Sequence, residues 1–185
     1  MAFFKLPAII CALLLTCICV KTRAQAQSDD TTQRSYWASV GYGAGTFAEN
    51  QTEFTVATEL KNNWVLAGNV QAELDARKSY VQMHVAEVST YNLLAGKLHH
   101  LKTSFFTTSV GLGVVHRNSF DTNGTQGVQL NETDENTIGV PITVQGFILP
   151  LKWLGLGLSA YVNLNTVQTI AGINFSIAIG KMGTR

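Results

Sequence analysis

The chain has 185 residues, 13 of them Lys or Arg and 12 Asp or Glu, for a formal charge of +1. This length suits one domain, and near-neutrality removes the electrostatic case for nucleic acid or an acidic partner. Charged residues are 14% and apolar residues 46%, against roughly 25% charged in ordinary soluble domains; disorder is excluded and a conventional solvated globule is in doubt.

Lys5 precedes an almost wholly apolar run, Leu6 to Val20, and Ala24-Gln25-Ala26 follows. A basic start, a short apolar core and an A-x-A site describe a secretory signal peptide. The run is too short for the roughly 17–25 residues of a spanning helix. The expected division is a signal peptide over residues 1–26, a short tail over 27–34 and a barrel domain over 35–181. Cys11, Cys17 and Cys19 all fall in the leader, so cleavage after Ala26 removes every thiol and with it disulfides and thiolate metal sites. Leu14-Leu15-Thr16-Cys17 offers a weaker lipoprotein alternative.

Strands are expected at Ser35–Phe47, Glu53–Leu60, Trp64–Leu74, Val85–Leu98, Lys102–His116, Asn136–Ile148, Trp153–Asn163 and Thr166–Gly180. Gly41, Gly43 and Gly45 permit bends in the first, and because Gly41-Tyr42-Gly43-Ala44-Gly45 opens no helix it is no phosphate loop. Tight turns are expected at Lys61–Asn63, His99–Leu101 and Leu149–Lys152, with longer loops at Asp75–His84 and Arg117–Glu135. Tyr36, Trp37, Trp64, Phe147 and Trp153 fall near strand ends, where aromatic belts form. Pro141 cannot donate to a ladder and is expected to mark a bulge.

The C-terminal third decides the environment. From Asn136 to Gly180 the only charge is Lys152, and the residues alternate with period two, the signature of strands. Ile138, Val140, Ile142, Val144 and Ile148 share a face, as do Leu154, Leu156, Leu158 and Val162, and then Ile173, Phe175, Ile177 and Ile179. The opposite faces carry Gly, Ser, Thr, Asn, Gln and Tyr without charge. A soluble barrel needs charge on its polar face; a narrow transmembrane barrel turns small polar residues inward and aliphatic ones to lipid. The expected fold is therefore all-β, an eight-stranded antiparallel up-and-down transmembrane β-barrel.

Ile138-Gly139-Val140-Pro141-Ile142-Thr143-Val144-Gln145, Leu154-Gly155-Leu156-Gly157-Leu158 and Ala171-Gly172-Ile173-Asn174-Phe175-Ser176-Ile177 resemble the small outer-membrane barrels of Gram-negative bacteria, the "outer membrane protein beta-barrel domain" group. The resemblance spans the whole mature chain. It implies a monomer in the outer-membrane bilayer, inserted by the barrel-assembly machinery. Gly172, Phe175 and Ile177 match the insertion signal that machinery reads; Ile170 and the end at Arg185 depart from it.

An eight-stranded barrel is just wide enough for side chains to fill. The expected lumen holds Glu59, Asn69, Gln71, Glu73, Gln145, Tyr161, Asn163 and Asn174. Glu59, Glu73 and Glu87, on adjacent strands, form a candidate proton- or cation-binding cluster, with Lys97 the best lumenal base. The long connection, 117–135, is the expected contact region for an extracellular partner. Its Asp121, Asn123, Glu132, Asp134 and Glu135 are oxygen donors of the type calcium takes, although EF-hand spacing is absent. No catalytic, cofactor or metal residues are assigned, and no cofactor is expected. Two alternatives stand beside the structural or surface role. One is a lipid-modifying barrel enzyme using His116 and Ser119, near Asp121, by resemblance to rim deacylases with a tighter His-x-Ser spacing. The other is a secreted lipocalin-like barrel with Leu154, Leu156, Leu158 and Val162 turned inward on an apolar ligand. His99-His100 lacks a third ligand for zinc.

Overall fold

The computed structural model describes residues 34–78, 82–123 and 130–182; the expected leader, with Ala24–Ala26 and the three cysteines, lies outside them. Eight antiparallel strands follow in chain order: β1 Tyr36–Gly45, β2 Asn50–Glu59, β3 Trp64–Lys78, β4 Gln82–His100, β5 Ser104–Asn123, β6 Leu130–Leu151, β7 Leu154–Asn165 and β8 Ile170–Lys181. Each pairs with its neighbours, and β1 closes on β8 from Tyr36↔Lys181 to Gly45↔Gly172. Closure leaves no edge within the ring, the condition for carrying backbone polar groups through hydrocarbon.

Alternation sets the two faces as the sequence implies. Leu112 is 67% exposed, Ile138 71% and Leu158 60%, while Asn69, Gln145 and Asn174 on the same ladders are buried. Leu156 and Val162 also face out, which overturns the lipocalin alternative: no apolar pocket is enclosed by that face. Trp64, Trp153 and Tyr36 are exposed where the chain termini and short turns lie, and Tyr42 and Tyr91 ring the outer face further up. Lys97 lies on the outside too, its Nζ donating to the Asn62 carbonyl (3.1 Å) and standing 4.4 Å from the Trp64 ring centre. It is an interfacial anchor with an apolar stem and is not the lumenal base expected of it.

Trp37 and Phe147, expected in the belt, are instead buried inside. With Phe105 they stack at centroid distances of 5.1 and 5.2 Å, and Leu98 and Met182 complete an apolar plug at the terminal end. A second cluster, Val88, Val115, Tyr161 and Ile170, with Phe47 against it, closes the opposite mouth. Parity explains the first error: Trp37 shares its face with Ser39 and Phe147 with Gln145, so both had to point inward once the aliphatic face pointed out.

The strands are unequal. The ladders β3–β4 and β4–β5 run up to Lys78↔Met83 and Gln82↔Asn123, and β5–β6 from Ser104↔Ile148 to Thr122↔Leu130. The long connections expected at Asp75–His84 and Arg117–Glu135 are therefore mostly paired strand, a tall hairpin wall standing above β1, β2, β7 and β8. His99 and His100 end β4 instead of forming a turn, and Leu149–Leu151 belong to β6, with a register shift between Ile148 and Leu151. Pro141 marks no bulge. Its ladder to β5 lapses between Val110↔Ile142 and Gly113↔Gly139 and resumes in register, while Pro141 still pairs with Asn163. The β2–β3 turn, Lys61–Asn63, puts Asn62 and Asn63 at φ of 59° and 60°, the left-handed conformation that tight hairpins require and Asn tolerates.

Leu158→Arg, in the middle of β7 on the outer face, should lower stability in bilayers by about 2–4 kcal/mol, read from urea unfolding in lipid vesicles. The same substitution would be near neutral if that face were solvated.

Candidate functional site

Two regions concentrate chemistry: the lumen between the apolar plugs, and the tall wall above the barrel.

The hub of the lumen is Glu53. It was not among the expected lumenal residues, yet it has the same strand parity as Glu59, and that parity was the available signal. Its Oε1 accepts from Thr55 Oγ1 (3.1 Å), Asn69 Nδ2 (2.8 Å) and Gln145 Nε2 (3.1 Å). Its Oε2 accepts from Asn174 Nδ2 (2.8 Å) and from the Ser159 hydroxyl. One carboxylate thereby ties β2 to β3, β6, β7 and β8. The network continues from Asn92 Nδ2 to Asn69 Oδ1 at 3.0 Å, and from Thr90 Oγ1 to Gln71 Oε1 at 3.2 Å. All eight residues expected in the lumen are buried.

Glu73 stands nearer the mouth. It accepts from the Tyr161 hydroxyl and from the backbone N–H groups of Phe47 (3.1 Å) and Ala48 (3.2 Å), so it pins the β1–β2 connection over the barrel. Gly45 makes this possible: a Cβ there would sit 2.4 Å from the Glu73 carboxyl carbon. Glu59 lies at the terminal end, accepting from the Ser35 N–H at 3.0 Å, with His100 Nε2 at 3.5 Å. Glu87 is exposed on the outer face, a register error of one residue that a period of two converts into the opposite side of the wall. The expected trio of Glu59, Glu73 and Glu87 is therefore not a cluster; Glu53 and Glu73 are the neighbours.

On the wall, His116 Nδ1 lies 3.0 Å from Asn136 Oδ1 and 3.3 Å from Asp134 Oδ1. Ser119 is three residues further along the same strand, which places it on the opposite face. The two do not form a base and nucleophile. Asp134 and Glu135 are likewise adjacent on one strand and turn to opposite faces, and Asp121, Asn123 and Glu132 are placed on paired strands, not a ligand loop. Among the described residues no group of three His, Cys, Asp or Glu converges as a metal site.

No protein-family model matches the chain, and no curated protein matches it. Its fold does match solved structures. A major outer membrane protein of Thermus thermophilus aligns with a TM-score of 0.63 and 9% identity, over 80% of this chain and 99% of that one. Ail, the attachment invasion locus protein of Yersinia pestis, aligns at 0.56 and 13%, over 80% and 97%. The N-terminal β-barrel domain of Pseudomonas aeruginosa OprF aligns at 0.50 and 11%, over 80% and 96%. A closed eight-stranded ring, a lipid-type outer face and a filled polar lumen define a small β-barrel of the kind that stands in the bacterial outer membrane.

Replacing Glu53 with Leu takes the acceptor from the buried Asn174 amide and Ser159 hydroxyl, each worth about 1–3 kcal/mol, while the Asn69 and Gln145 amides keep only Thr55 Oγ1. The variant should lose at least about 3 kcal/mol in urea unfolding, against under about 0.5 kcal/mol for Glu87→Leu. Equal stability of the two variants would remove Glu53 as the hub.

Proposed function

We propose that this chain is exported by its leader, cleaved after Ala26, inserted in the outer membrane by the barrel-assembly machinery, and there presents its tall wall as a docking edge for an extended, basic partner segment. The observation that carries this reading is the uneven ladder of β6. Pairing with β7 starts at Gly139↔Asn165, while pairing with β5 continues to Thr122↔Leu130. The stretch Leu130–Ile138 is thus bonded on one side and open on the other. On the far edge of the wall, β3 continues beyond its last pair with β2, Asn50↔Leu74.

The outer face changes character at the same height. Among the residues whose side chains are described, Tyr91, Val114 and Ile138 are the last large apolar ones there; Glu87, His116, Asn136 and Asp134 follow. The open edge therefore stands in water above the lipid-type belt. An unpaired strand edge is a template for another strand, and peptide recognition by strand addition draws affinity from main-chain bonds and specificity from flanking side chains. Asp134 and Glu135 make this edge acidic, which disfavours pairing with a second copy and favours a basic partner. An open groove of about 420 Å³, lined by Val114, Asn136, Thr137, Ile138 and Thr166, lies where β7 ends.

Other features agree with a surface role. The lumen is plugged at both ends, which disfavours a general pore, and the separation of His116 from Ser119 disfavours hydrolysis. Termini and tight turns share one end, the periplasmic arrangement of such barrels, with the taller hairpins outside. One of the barrels of like fold is named for attachment and invasion.

Recovery in the outer-membrane fraction, with a gel mobility shift on boiling, is the expected behaviour of the expressed chain; release with soluble periplasmic proteins would overturn the reading. The edge is tested by Glu135→Pro and Asn136→Pro. Adjacent N–H groups point to opposite sides of a strand, so one proline faces β5 and the other the open edge, where proline is tolerated. The open-side variant should keep the mobility shift yet lose at least tenfold in affinity for immobilised peptides alternating Lys and Val. Unchanged binding by that variant would sink the docking edge.

A further inference from the structure

Charge is segregated along the barrel axis, and the docking edge uses only one end of it. Among the residues whose side chains are described, the exposed acids Glu49, Glu87, Asp134 and Glu135 all stand at the wall end, where Arg117 is the one base. The terminal end is the reverse. Arg34, Lys61, Lys97, Lys102, Lys152 and Lys181 stand there. Among the described residues the only acid at that end is Glu59, which is buried and holds the Ser35 N–H.

The bases are spread around the ring. Arg34 precedes β1, Lys61 lies in the β2–β3 turn and Lys97 near the end of β4; Lys102 lies between β4 and β5, Lys152 between β6 and β7, and Lys181 ends β8. Because β1 closes on β8, they form a collar around the circumference. A folded partner approaching from one side would meet only part of it, whereas a shell of lipid meets all of it.

The aromatic residues fix the height of the collar independently of its charge. Trp64 and Trp153 are exposed at this end. Lys152 directly precedes Trp153, and Lys97 pairs across the ladder with Trp64. Exposed Trp at the ends of lipid-facing strands marks the headgroup boundary. Lys97 Nζ stands 4.4 Å from the Trp64 ring centre and gives one N–H to the Asn62 carbonyl. A cation is thereby held at that boundary, with its other N–H groups directed to whatever oxygen the headgroups supply.

We propose that this collar selects anionic phospholipid headgroups in the leaflet that surrounds the terminal end. Lysines near an anionic surface are attracted to it without a shaped pocket. Their methylene stems lie along the apolar wall while the ammonium groups reach the phosphates. The two ends of the barrel then prefer opposite surroundings, since the acidic wall repels the surface that the collar attracts.

Trp37 is buried in the lumen, so quenching of tryptophan fluorescence by lipid reports on Trp64 and Trp153, within the collar itself. The chain is refolded into vesicles of equal phosphatidylcholine and phosphatidylglycerol, with bromine near the headgroup on the chains of one lipid or the other. Brominated phosphatidylglycerol should quench more, with a local enrichment of about fivefold, the preference that a single lysine gives at an anionic surface. Lys61→Gln, Lys97→Gln and Lys152→Gln combined should bring the two lipids to parity, while Glu87→Gln with Glu135→Gln at the wall should keep the preference. In about 1 M potassium chloride, where the screening length falls to about 3 Å, the unaltered chain should lose most of it, a readout that needs no variant. Equal quenching in the unaltered chain, or a preference that survives the triple substitution or the salt, would overturn the collar. Inorganic phosphate should act no more strongly than chloride at matched ionic strength; if it alone abolished the preference, the bases would form a site for a soluble phosphate and the lipid assignment would fall.

Discussion

The barrel depends on one carboxylate being satisfied from five directions. A small transmembrane barrel exposes its aliphatic face to lipid, so the hydrophobic effect that organises a soluble core acts only weakly between its strands. Specificity must come from the inside, where polar side chains have little water to fall back on and each unmade bond is expensive. Glu53 draws donors from β2, β3, β6, β7 and β8, and the three from β6, β7 and β8 belong to strands that reach it only when the ring is closed or nearly so. The hub therefore rewards the finished barrel more than any partial sheet.

The plugs follow from the same constraint. A polar network confined to the middle of a tube needs both ends sealed against solvent, or its bonds are exchanged for bonds to water. Trp37, Phe105 and Phe147 seal one end and Val88, Val115, Tyr161 and Ile170 the other. Tyr161 belongs to both worlds: its ring packs in the upper plug while its hydroxyl donates to Glu73. Glu73 in turn holds the Phe47 and Ala48 amides, so the polar network also fastens the lid above it.

Much of this was legible in the alternation. Period two with an uncharged polar face placed Asn69, Gln145, Asn163 and Asn174 inside and Leu158 and Ile173 outside, because parity leaves no intermediate choice. Parity also explains what was misread. Glu87 was grouped with Glu59 and Glu73 because their strands are adjacent, without following parity along its own strand, and Trp37 and Phe147 were placed by their nearness to strand ends. The wall was illegible for another reason. Residues 117–135 are rich in Asn, Asp, Glu and Thr, residue types that mark loops when read locally, and Asn and Asp are depleted in strands. Only cross-strand pairing, visible in the register Arg117↔Glu135, turns them into strand. Which carboxylate would be the hub was equally hidden, since it depends on Gln145, Ser159 and Asn174 arriving from the far side of the ring.

The inequality of the strands ties the lumen to the surface. Strands of equal height would close at every level and leave no edge to offer a partner. Here the ring closes only as far as Gly139↔Asn165 and Asn50↔Leu74, and above that level β3 to β6 continue alone. An open, exposed edge endangers a protein with neighbours of its own kind, and natural sheets blunt such edges with charge. Asp134 and Glu135, both exposed, supply such charge with a single sign, so two copies repel at this edge. The wall can project without a second sheet behind it because its base is rigid: β4, β5 and β6 rise out of a ring whose lumen is filled, bonded and capped.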